Sequence, residues 1–135
     1  EQLQQNKDEQ LAAICTKALK EIKYHIRWSS EWVLRLGDGT PESKQRMLVA
    51  INELWRYIGE MFIAVDYEKE MNIDLIALQN NWAEKVDVIF QEATLSIPKN
   101  TFMQTGGKTG THTENLGFIL TELQYMQRAY PNSQW

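Results

Sequence analysis

Cysteine is all but missing from this chain, with Cys15 alone among 135 residues. One thiol precludes an internal disulfide, which fits a reducing cytosol. Histidine is nearly as scarce, with only His25 and His112, so any site built on several imidazoles is ruled out. There is no basic excess either: the formal net charge is −4 and the Lys and Arg residues are scattered. That argues against a nucleic-acid surface, which draws its affinity from clustered cations that displace counterions. No apolar run approaches the roughly 20 residues of a membrane span, and Glu1-Gln2-Leu3 offers no signal-peptide pattern. Period-two alternation, internal repeats and low-complexity tracts are absent as well, which excludes a sheet-based or solenoid reading. The missing initiator methionine leaves open that this is an excised piece of a longer chain.

What is present is helical patterning in a chain of single-domain length. Hydrophobic content of 43% with three prolines points to a packed globule rather than a disordered tail. From Asp8 to Leu36, residues such as Leu11, Cys15, Leu19, Ile22, Ile26, Trp32 and Val33 recur at spacings of three and four. This predicts a helix about 43 Å long. Gly37-Asp38-Gly39 is expected to stop it through a left-handed cap, after which Thr40 caps a second helix with Pro41 in its first turn. The second stripe runs from Met47 through Ile51, Trp55, Ile58 and Phe62 to Val65. Asp66 to Asn72 breaks the period and reads as a connection. Asp74 is the expected N-cap of a third helix ending before Pro98, and a fourth is predicted from about His112 to Ala129. The reading is an all-α fold of four long helices in a single helical domain over residues 1–135.

The glycine-rich run from Thr105 to Gly117 invites three chemical readings. Gly107-Lys108-Thr109 looks like the end of a phosphate-binding loop, but Phe102 stands where the first glycine must be and no strand pattern leads in. His112-Thr113-Glu114 looks like the HxE of a zinc deaminase, yet the pair of cysteines that completes such a site is missing. Thr111 and Glu114 have the spacing of a capping box, which makes the run a structural lead-in to the last helix. Lys108 and His112, with Glu114, are the residues that would bind an anion such as the phosphates of coenzyme A at that helix N-terminus.

Long helices also raise a carboxylate-bridged di-iron centre, whose ExxH motif puts a glutamate and a histidine on one helix face. No glutamate here is followed three residues later by histidine, so metal binding in the bundle core is not expected. His25 lies one turn from Glu21 and reads as a satisfied, partly buried histidine, since no nucleophile sits nearby in sequence. No residue is singled out as catalytic. Trp28, Trp32, Trp55 and Trp82 read as core or interface anchors. Lys17, Lys20, Lys23 and Arg27 form a basic side of the first helix that reads as solvated.

Several spaced blocks agree in order with one family. They are Leu11-Ala12-Ala13-Ile14, Lys20-Glu21, Tyr24-His25, Arg35-Leu36-Gly37-Asp38-Gly39-Thr40, Asn52-Glu53-Leu54-Trp55-Arg56, Glu92-Ala93-Thr94-Leu95, Gly106-Gly107-Lys108, His112-Thr113-Glu114, Gln124-Tyr125-Met126-Gln127-Arg128 and the terminal Trp135. Together they resemble the non-catalytic structural subunit of bacterial phenylacetyl-CoA epoxidases, in its C-terminal half. The resemblance implies part of a ferritin-like bundle that pairs with a related catalytic subunit. In that assembly the catalytic partner holds the di-iron centre, a separate reductase delivers electrons, and the aromatic ring of phenylacetyl-CoA is epoxidised in the cytoplasm. Family members are nearly twice as long, so stripes that face missing neighbours would be exposed and self-association is expected. A generic helical adaptor is what the bundle alone would imply.

Overall fold

A computed structural model describes residues 1–134, and among them every regular element is helical. The all-α expectation is met. Trp135, one of the residues carrying the family resemblance, lies outside the described residues. The chain groups into two compact units, Glu1–Gln104 and Thr105–Trp135.

Local chemistry sets most of the helix starts in the first unit. Helix α1 spans Glu9–Gly37, and the Asp8 carboxylate accepts from the amides of Gln10 and Leu11 at 2.9 and 3.1 Å. Helix α2 spans Pro41–Leu54. Thr40 and Ser43 cap it reciprocally: each side-chain oxygen accepts from the other's amide, at 3.1 and 3.0 Å. A short helix α3, Asp66–Glu70, occupies the stretch expected to be a plain connection. Its end is a Schellman turn, with Asn72 left-handed at φ 54° and the Ile73 amide donating to the Glu68 carbonyl at 3.1 Å. Asp74 then caps α4, Leu75–Glu92, by accepting from Ala77 at 2.9 Å.

Three boundaries differ from the sequence expectation, two of them where tertiary contacts intervene. The second helix stops at Leu54, not Val65, and continues as 3-10 turns over Trp55–Tyr57 and Gly59–Phe62. This tighter winding leaves the Arg56 carbonyl to accept from Gln104 at 2.8 Å. It also brings Gly59 against Met103, whose Cγ would lie 2.9 Å from an added Cβ. Helix α4 ends at Glu92 in a second Schellman turn, where Thr94 has φ 56° and the Leu95 amide reaches the Phe90 carbonyl at 2.8 Å. Finally, α1 does not end on a left-handed glycine. Asp38 is its cap, and Gly37 is required instead because a Cβ there would sit 2.6 Å from the Ala93 carbonyl oxygen.

The core gathers where these ends meet. Among the described residues Ile51, Trp55, Ala93 and Leu95 are the buried hydrophobic ones, flanked by Val33, Leu34, Met47, Trp82, Val86 and Phe90. Trp55 packs against Trp82 and Phe90 with ring centroids 5.8 and 5.7 Å apart. At the corner, Lys44 Nζ donates to Thr94 Oγ1 at 2.8 Å, and that hydroxyl donates to the Gly37 carbonyl at 3.4 Å.

In the second unit a 3-10 turn, Gly107–Thr109, precedes α5, Asn115–Leu123, and α6, Tyr125–Ala129. The expected continuous fourth helix is therefore broken at Gln124, whose φ and ψ are −100° and 2°.

Candidate functional site

The glycine-rich loop is a closed turn. Gly106 and Gly110 hold φ of 108° and 94°, conformations that suit glycine because a Cβ would be strained there. They fold the chain so that the Gly106 carbonyl accepts from the amides of Thr109 and Thr111 at 3.0 and 2.8 Å, and from the Thr109 hydroxyl at 3.0 Å. The Gly110 amide donates to the Gly107 carbonyl at 3.3 Å. Three amides of the kind that would cradle a phosphate are thus turned onto loop carbonyls.

The capping box expected at Thr111 and Glu114 does not form. Thr111 is held in the loop by its bond to Gly106, and α5 begins at Asn115 with Glu114 as an N-cap whose side chain makes no capping bond. In the first unit, by contrast, the box at Thr40 and Ser43 is complete. Lys108 sits half-buried in the 3-10 turn, whereas His112 and Glu114 are exposed in the run leading to α5.

Among the described residues no three His, Cys, Asp or Glu side chains converge as a metal-binding group. His25 faces Glu21 at 4.0 Å, the turn-spaced pair its position suggests, but it is not partly buried as expected: both side chains stand largely in water because, among the described residues, no other element packs over this part of α1. A depression beside α2, lined by Leu36, Met47 and Ala50, carries Arg46 and Glu42 on its rim, and these two neutralise each other at 2.7 Å. Nothing there pairs a nucleophile with a base.

The surface is more informative than any cleft. Residues 20–29 in the middle of α1 are exposed on every side, including Ile22, Tyr24, Ile26 and Trp28. Trp28 is 54% and Trp32 42% exposed, and their rings meet edge to face at 6.2 Å. Arg27 lies over the Tyr24 ring at 5.7 Å and Arg35 over the Trp32 ring at 5.6 Å. Trp, Tyr and Arg are the residues that dominate binding hot spots. The sequence signal for this face was an arginine three positions after each of two aromatic rings, and it is invisible to a search for catalytic motifs. In the second unit Phe118, Ile119 and Leu123 of α5 are also more than half exposed. Among the described residues no helix is long and apolar enough to cross a membrane.

Comparison with known proteins places the chain in a family. One component of the 1,2-phenylacetyl-CoA epoxidase of Escherichia coli strain K12 is 45% identical over 138 residues, covering 98% of this chain and 56% of that relative. The chain therefore spans little more than half the length of the curated protein it matches. Residues 1–135 also match one family from end to end. The chain belongs to the phenylacetic acid catabolic protein family.

Proposed function

We propose that this chain acts as a structural, non-catalytic component of a phenylacetyl-CoA ring-epoxidising monooxygenase, docking on a catalytic partner that carries the di-iron centre. The observation that carries this reading is the unpartnered middle of α1, where aromatic and aliphatic side chains that would normally be covered stand in water. The missing ExxH spacing and the lack of a converging ligand cluster among the described residues support a role without resident metal. The relative is itself named as one subunit of an epoxidase, which supports placement in a multi-subunit assembly. Co-expression with the di-iron subunit of a phenylacetyl-CoA epoxidase is expected to yield a complex that survives size-exclusion chromatography. Separate elution of the two proteins would overturn the reading.

Within that assembly, Lys108 and His112 are the residues proposed to meet an anionic group such as the phosphates of coenzyme A. Lys108 supports this by holding its charge on a turn rather than on a free tail. Lys108→Ala is expected to weaken coenzyme A binding several-fold in titration calorimetry, by loss of one charge-assisted contact. An unchanged isotherm would remove this role.

A further inference from the structure

We propose that the 3-10 turn Gln2–Gln5 is a strap latched onto the corner between α3 and α4, and that strap and corner open and close as one unit while the core stays folded. The latch is the Gln2 carboxamide. Its Nε2 donates to the Asp74 carbonyl at 3.1 Å and its Oε1 accepts from the Asp74 amide at 2.8 Å, so one side chain bonds both backbone groups of a residue 72 positions away. A carboxamide suits this, because a carboxylate has no proton to give and an ammonium has no lone pair to offer. A second link lies on the other side of the corner, where Asn6 Nδ2 donates to Met71 Sδ at 3.8 Å. The two links straddle Asn72, the left-handed residue at which the chain turns.

Mutual dependence follows from length. The strap is a four-residue turn, closed by the Gln4 and Asn6 amides on the Glu1 and Leu3 carbonyls at 3.0 and 3.2 Å, and α3 is a helix of five residues. Helices so short do not hold by themselves in water, since a few bonds do not offset the cost of nucleation. The start of α3 is closed locally by the Glu68 carboxylate, which accepts from the Val65 amide at 3.1 Å, whereas its end, from Met71 to Asp74, is met by the strap. The strap in turn rests on α1, with Gln4 Nε2 donating to Thr16 Oγ1 at 3.3 Å, so the latch ties the start of α1 to the start of α4. These linking bonds are exposed. Water competes for each of them, and the unit therefore opens at a fraction of the free energy that opens the core.

Amide hydrogen exchange of the full chain, followed residue by residue by NMR and with no epoxidase partner present, tests the coupling. Gln2→Ala is expected to speed exchange of the Asn6 amide in the strap and of the Ile73 amide in the corner by the same factor, about tenfold, although these amides bond the Leu3 and Glu68 carbonyls and not Gln2. The Leu95 amide, bonded to the Phe90 carbonyl beside the core, is expected to keep its rate. Gln2 is exposed, so the variant is expected to retain its helicity by circular dichroism. Gln5→Ala, which removes an exposed side chain from the same turn, is expected to leave all three rates as they are. Acceleration at only one of Asn6 and Ile73, or at neither, would overturn the proposal. So would equal acceleration at Leu95, or an effect of Gln5→Ala as large as that of Gln2→Ala.

Discussion

Trp55→Ala is expected to cost the first unit about 3–5 kcal/mol, the range for truncating a buried aromatic. Trp55 is 8% exposed and touches the rings of both Trp82 and Phe90, with Ile51 and Leu95 completing the cluster. Among the described residues only four hydrophobic side chains are buried to this degree, and no large one is fully enclosed. A core so small has little reserve against a total stability of about 5–15 kcal/mol for typical domains. Thermal unfolding followed by circular dichroism should show the transition lowered by more than about 10 °C. Trp28→Ala is the matched control. Its ring is 54% exposed, so the same chemical change is expected to stay within about 0.5 kcal/mol. Equal losses at the two sites would mean that the core is not where Trp55 places it.

Gly37→Ala is expected to destabilise by about 2 kcal/mol, against the usual sign of that substitution. Within a helix, alanine is normally favoured over glycine by about 1 kcal/mol. At Gly37 the new methyl group would lie 2.6 Å from the Ala93 carbonyl oxygen and 2.9 Å from the Ala93 methyl. Ala93 is fully buried and has little room to give way. The turn just after it is pinned by the Leu95 to Phe90 bond at 2.8 Å and by Thr94, which bonds Lys44 and the Gly37 carbonyl. Overpacking of this kind costs about 1–3 kcal/mol and outweighs the gain in helix propensity. Gly117→Ala in α5 supplies the opposite sign, because nothing lies within 4 Å of an added Cβ there. Chemical denaturation of both variants should therefore move the midpoint in opposite directions, and movement in the same direction would refute the close approach at Gly37.

Residues whose role is local were legible from the chain itself. Thr40 and Asp74 each cap the helix that follows them as expected, because a side-chain oxygen reaching amides two or three residues on requires no distant neighbour, and Asp8 does the same for α1. Pro41 sits in its first turn for the same reason. The charged stretch after Val65 misled: its Schellman ending is as local as any cap, but one turn of helix is too short to show a period. At Thr111 a correct spacing was overruled by two left-handed glycines that hold its amide on the Gly106 carbonyl.

By itself, then, the sequence determined the helical class, the main helix starts, the family and the absence of ExxH spacing, because caps, periods and ordered motif blocks are properties of neighbouring residues. What happens at the ends of the first two helices was decided by tertiary contacts: Arg56 gives its carbonyl to Gln104, and Gly37 lets Ala93 approach. So was the division of the tryptophans. Trp32 and Trp55 share the same helical spacing along their stripes, yet Trp55 is enclosed by α4 while Trp32 and its neighbour Trp28 face water. Periodicity records that a face is apolar. Only the arrival of another element, in this chain or in a partner, decides which apolar face becomes core and which remains a surface for binding.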